Sequence, residues 1–175
     1  MKDLYIIPEC YIDTCLVESL LETEGVNHQK GCNVVTGVMD SKYADKFAVG
    51  IIDDDKKKPS YVNEFYNLAT TDFLVLLKHL TRPHYLIMVK PAMDGFILGC
   101  VGKKGIDLSE YDLPSDLKSF TKETKCVATK NDIRFKKLFY ELKDVPEMVL
   151  LAKLLNYFKE KGFASKEEEI KMFFL

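Results

Sequence analysis

The chain has 175 residues, of which 47% are hydrophobic and 30% charged, and it carries a formal net charge of -2 at pH 7. That length fits one domain with a small helical extension, and that hydrophobic share supplies a core without disulfide staples. The absence of low-complexity runs excludes disorder, and the near-neutral balance excludes a uniformly basic nucleic-acid binder, so such a partner would need a local basic patch or a bridging metal ion.

The five cysteines, Cys10, Cys15, Cys32, Cys100 and Cys126, are odd in number and scattered, with no C-x-x-C pair. They read as reduced thiols of a cytoplasmic protein. The opening residues are too short an apolar run for a signal peptide. No stretch approaches the ~18 apolar residues of a membrane span, so no membrane partner is expected.

In chain order, residues 4–7 form a short apolar run stopped by Pro8 and predict a buried first strand. A helix follows over 14–24, with Leu16, Val17, Leu20 and Leu21 on its inner face and Glu18, Glu22 and Glu24 outside. Asp13 and Thr14 are its candidate caps, and Gly25 is placed to end it. Residues 26–29 suggest a second short strand, 33–43 a weaker helix, and 47–52 a central strand running into Asp53, Asp54 and Asp55. Residues 56–60 read as a polar loop and 61–68 as a short helix or irregular chain. Residues 72–80 read as a helix capped from Thr70, Thr71 or Asp72, and 84–89 as the clearest strand, stopped by Pro91.

This alternation predicts an α/β fold with a mostly parallel four-stranded sheet flanked by helices over residues 1–105. Helices at 133–142, 146–161 and 166–174 predict a helical extension, residues 106–175, packed on the same sheet. Pro146 sits at a first-turn position, and Ser165 with Glu168 forms a candidate capping box.

In an open α/β sheet, ligands bind beyond the carboxyl ends of the strands. Here those ends deliver acids: Glu9 and Asp13 after the first, Asp53 to Asp55 after the central strand, Asp94 after the last. Any one of them is more simply a helix cap or a solvated group. Three strand ends together are different, because crowded carboxylates repel unless a cation neutralises them. Hard divalent ions take oxygen ligands, so Mg2+ or Mn2+ is the simplest occupant. The two-residue repeat of extended chain lets Asp53 and Asp55 point alike and Asp54 aside.

These residues resemble the TOPRIM family, and within it the small nuclease and OLD-type nuclease branches. TOPRIM domains carry a Glu after the first strand and an Asp-x-Asp after a later one, matched by Glu9 in LYIIPEC and by Asp53 and Asp55 in VGIIDDDK. Asp13, four residues after Glu9, and KPAMDGFIL, with Pro91 and Asp94, resemble two further features of those branches. The likeness covers residues 2–102, and Cys10 stands where many members have glycine. It implies that Glu9 is a general acid or base or a metal ligand, that Asp53 and Asp55 bind the metal, and that Asp13 and Asp94 complete the site. The implied reaction is Mg2+- or Mn2+-assisted cleavage of a phosphodiester in nucleic acid, in a phage-defence or mobile-element setting.

Other groups could serve such a site. His28 and Lys30 lie in a polar segment able to hold a phosphate, equally readable as a plain loop. Lys56 and Lys57, with Lys58, could grip a nucleic-acid backbone or form a charged turn. Arg134, Lys136 and Lys137 read first as a solvated helix face, and a Cys10–His28 nucleophile pair lacks an orienting third group. Two alternatives stay open: a TOPRIM-like module that binds nucleic acid or protein without catalysis, and a phosphatase or nucleotide hydrolase. A homodimer is compatible with everything above.

Overall fold

The structure is a computed structural model that describes residues 4–54 and 57–175. Asp55 and Lys56, both singled out from the sequence, lie outside the described residues. The fold is α/β: a five-stranded open sheet with helices on both faces. Its strands are β1 (Ile6–Pro8), β2 (Ala48–Asp53), β3 (Phe65–Thr70), β4 (Leu74–His79) and β5 (His84–Val89), in the order β1-β2-β5-β4-β3. Strands β1, β2 and β5 are parallel, whereas β4 and β3 run antiparallel to their neighbours.

The sheet is therefore mixed and five-stranded, where the sequence predicts four mostly parallel strands. The difference lies in residues 61–80, which supply two strands, and in residues 26–29, which supply none. Thr71 supplies the side-chain oxygen expected of a helix cap, but Oγ1 accepts from the amides of Phe73 and Leu74 at 3.3 and 3.1 Å to close the β3–β4 turn. The same short-range chemistry serves a helix start or a strand turn. Between β5 and β3, the run Leu74-Val75-Leu76-Leu77 is buried along its whole length, as a central strand is and an amphipathic helix is not. The outer strand β3 is partly exposed and bulged between Asn67 and Ala69, which blunts the sheet edge.

Residues 26–29 are not a strand, but they are extended. The amides of Asn27, Gln29 and Gly31 donate to the carbonyls of Ile6, Pro8 and Glu9 at 3.0, 3.0 and 3.1 Å, so this segment runs beside β1.

The helices are α1 (Tyr11–Leu21), α2 (Cys32–Asp40), α3 (Met93–Lys104), α4 (Leu117–Thr124), α5 (Ile133–Leu142), α6 (Pro146–Lys161) and α7 (Glu167–Lys171). Helix α3 was not expected; its glycines and short apolar runs give a weak helical pattern, and it is ended by Gly105 at φ 69°. Pro146 opens α6 as predicted. The capping box does not form: Ser165 donates to the Gly162 carbonyl, and Lys166 occupies the cap position of α7. Glu18 is buried rather than outside, accepting from the amides of Gly25 and Val26 at 2.6 and 3.2 Å. Among the described residues no helix is long and apolar enough to cross a membrane.

Alternate strand residues face opposite layers. Ile6, Val49, Ile51, Leu76 and Ile87 pack with α1, α3, α5 and α6 in one large cluster, so the C-terminal helices share the core of the sheet. On the other face Ile7, Ile52, Leu77 and Leu86 pack with Val35 and Met39 of α2. Gly50 lies beneath α2, where a Cβ would stand 2.6 Å from Leu86 Cδ2, 2.8 Å from Met39 Sδ and 2.9 Å from Val35 Cγ1. Gly50→Ala should therefore lower unfolding free energy by about 1–3 kcal/mol in chemical denaturation. A wild-type denaturation midpoint would show that α2 can retreat without loss.

Candidate functional site

The carboxyl ends of β1, β2 and β5 lie along one edge of the sheet, because the three strands are parallel and in register from Pro8 opposite Ile51 to Asp53 opposite Val89. The chain bends after β1 at Glu9, Cys10 caps α1 in extended conformation, and Asp13 falls in its first turn. Asp53 ends β2, and Asp94 lies in the first turn of α3.

These elements enclose a cavity of about 330 Å³ lined by Glu9, Asp53 and Asp94, and by His28, Lys30 and Lys125. A larger groove of about 730 Å³ lies between the end of α1 and α5, but it gathers surface side chains such as Glu22, Lys136 and Tyr140 and none of the strand-end acids.

Two hydrogen bonds organise the acids. The Asp53 amide donates to Glu9 Oε2 at 2.9 Å, and the Met93 amide donates to Asp53 Oδ1 at 2.9 Å. Glu9 thus ties β1 to β2, and Asp53 caps the start of α3, one of the amides that a helix leaves without an internal partner. Asp13 stands behind the cavity wall, fully buried. Its Oδ1 receives the Cys10 thiol at 3.0 Å, whereas Oδ2 has no hydrogen-bond partner among the described residues. Burial, then the negative charges of Asp53, Glu9 and Asp94, hold the Asp13 carboxyl well above the usual range, against a lowering contribution from Cys10.

Cys10 is not a nucleophile in this arrangement. Burial and the adjacent Asp13 push its thiol far above the ordinary range, and His28 bonds to Thr14 rather than to sulfur. All five cysteines are free. Lys57 is exposed and does not line the cavity, and Lys58 pairs with Asp54 at 3.1 Å. Arg134 is held by Asp132 and Glu123, so it anchors the start of α5. Sequence reasoning missed Lys125 and Tyr11, which border the cavity from elements whose placement only the packed fold defines.

Among the described residues no group of three or more His, Cys, Asp or Glu side chains is placed to hold a metal ion. Magnesium needs no such group: it is commonly held by one or two carboxylates, water and substrate phosphate. Glu9 and Asp53 supply oxygens of the kind such an ion takes, and behind them the buried Oδ2 of Asp13 has no hydrogen-bond partner among the described residues.

A carboxyl whose folded pKa is raised holds its proton more tightly than in the unfolded chain. Its stabilisation is present below the unfolded value, about 4, and is lost as pH rises through the folded value. At neutral pH Asp13 should therefore burden the fold, and Asp13→Asn should melt higher, by about 2–4 °C for each 1 kcal/mol relieved. The gain should shrink as pH falls toward 4. Calorimetric melting at pH 4.5 and pH 8 checks this, and an equal or lower melting temperature at pH 8 would contradict it.

Comparison with family models, with curated proteins and with solved structures finds no match to this chain.

Proposed function

We propose that the chain is a Mg2+- or Mn2+-dependent enzyme that cleaves phosphodiester bonds in nucleic acid, with its acids arranged as in the TOPRIM nucleases that the sequence resembles. One observation carries this reading: Glu9, Asp53 and Asp94, from three separate segments, line one cavity at the carboxyl edge of three parallel strands, with buried Asp13 behind them. A cavity lined by Glu9, Asp53 and Asp94 together with Lys30 and Lys125 suits a phosphate bridged to carboxylates by a cation.

Glu9 and Asp53 would hold the ion, joined by Asp94 and by Asp55 as the resemblance implies. When bound, the ion would screen the phosphate and stabilise charge developing on its oxygens. The chain's own groups do the rest. The Met93 amide fixes the orientation of Asp53, and the Asp53 amide fixes that of Glu9. Lys30 and Lys125 offer positive charge to the phosphate. The free cysteines support a reducing, cytoplasmic setting.

A second reading is a TOPRIM-like module that binds nucleic acid without turnover. It is favoured by the same two hydrogen bonds, which give Glu9 and Asp53 a structural task.

One experiment separates the two. Purified protein is incubated with single- and double-stranded DNA and RNA in the presence of Mg2+, Mn2+ or EDTA. The first reading expects cleavage that EDTA abolishes and that Asp53→Asn lowers at least about 100-fold, equivalent to roughly 3 kcal/mol. Asparagine keeps an oxygen for the Met93 amide, so the start of α3 should survive. Undiminished cleavage by Asp53→Asn would sink the first reading, and metal-independent binding without turnover would favour the second.

A further inference from the structure

His28 stands on the extended segment beside β1 and lines the same cavity as Glu9 and Asp53. Its proton can be located. Thr14 Oγ1 is 2.8 Å from the Cys10 carbonyl oxygen and 2.8 Å from His28 Nδ1. A carbonyl only accepts, and a hydroxyl has one proton. Both contacts are hydrogen bonds only when Thr14 donates to Cys10 and accepts from Nδ1–H. In the neutral ring Nε2 then keeps its lone pair. Tyr11 stacks on the imidazole with centroids 4.6 Å apart and planes at 15°, which fixes the ring plane.

Nε2 makes no hydrogen bond to a described residue and is not a buried orphan. The chain's other two histidines have no such spare nitrogen. His84 Nε2–H donates to the carbonyls of Tyr43 and Lys46 while Nδ1 accepts from Tyr61. His79 Nδ1 accepts from the amides of Thr81 and Arg82 while Nε2 meets Glu64. Both of these rings are buried.

The titratable groups around His28 are Glu18 and the neutral phenol Tyr11 on α1, Lys30 on its own segment and Lys130 on the turn at Val127–Asn131, with Lys125, Glu9, Asp53 and Asp94 around the cavity. Burial above all, helped by Lys130 and Lys30 and opposed by the Cys10 carbonyl and Glu18, lowers the imidazole pKa below 6.5. The ring is therefore unprotonated at neutral pH.

We propose that His28 Nε2 is the proton acceptor of this site, an inference that rests on the phosphodiester-cleaving reading above. Nε2 takes a proton from water as the water oxygen forms a new bond to phosphorus. The bond from phosphorus to the leaving sugar oxygen breaks, that oxygen keeps the electron pair and takes a proton from solvent, and the imidazolium returns its proton to solvent. Thr14 is the positioning residue that holds the tautomer. Asp13 cannot take this part, because it is fully buried and does not line the cavity.

Long-range proton–nitrogen NMR of the histidine rings near pH 7.5 should show the Nδ1–H tautomer for His28. His28→Ala should lower cleavage about 100-fold or more, with Mn2+ binding by calorimetry unchanged, and added imidazole should restore part of the lost rate. The acidic limb of the wild-type rate profile, below pH 6.5, should be absent from the variant. An Nε2–H ring, or unchanged cleavage by His28→Ala, would overturn the base and leave the reading of the site standing. Cleavage indifferent to Asp53→Asn would overturn both.

Discussion

The bond from the Asp53 amide to Glu9 Oε2 is the tie on which the candidate site depends. It spans 44 residues of sequence and links the ends of two parallel strands at the edge where ligands of α/β sheets gather. The next bond, from the Met93 amide to Asp53 Oδ1, spans 40 residues and adds the start of α3 to the same chain of contacts. Each is charge-assisted when the carboxylate is ionised, and so stronger than a neutral pair. Together they do with side chains what the backbone ladder does within the sheet, extending its register beyond the last strand residues to the cavity wall.

That arrangement concentrates negative charge. Glu9 is buried, Asp13 is fully buried with one oxygen that has no partner among the described residues, and Asp53 and Asp94 border the same space. Such crowding opposes folding unless protons or cations relieve it. The well-packed layers around it can sustain the burden: Ile51, Ile52, Leu86 and Ile87, immediately below, are completely excluded from solvent. Stability supplied by the strands is in this sense what allows a strained electrostatic edge to persist, a division of labour common at functional sites.

How much of this could be read from the residues alone depends on the scale of the signal. β2 and β5 were legible because their apolar runs end at Asp53 and Pro91, and the gathering of strand-end acids followed from their positions. The helices 133–142 and 146–161 were legible from their 3.6-residue pattern. The β3–β4 hairpin was not, since Leu74 to Leu77 is apolar enough for a buried helix or a central strand, and only pairing with β5 decides between them. Nor could sequence show that Thr14, next to Asp13, would face His28 instead of capping α1. That contact requires the extended segment 26–31 to lie against β1.

The misread hairpin bears on function as well as on fold. Lys90, which follows β5 directly, is the lysine nearest in sequence to the last strand end. In the hairpin, Lys90 Nζ donates to the Thr71 carbonyl at 2.8 Å, and the Lys90 amide donates to Phe73. Lys90 is thereby bound into the β3–β4 turn and does not line the cavity with Asp53. The cations that do line it, Lys30 and Lys125, arrive from the segment beside β1 and from the end of α4, around acids drawn from three strand ends. The antiparallel addition to the sheet thus gives Lys90 a structural task in the β3–β4 turn, whereas Lys30 and Lys125 share the cavity with the acids.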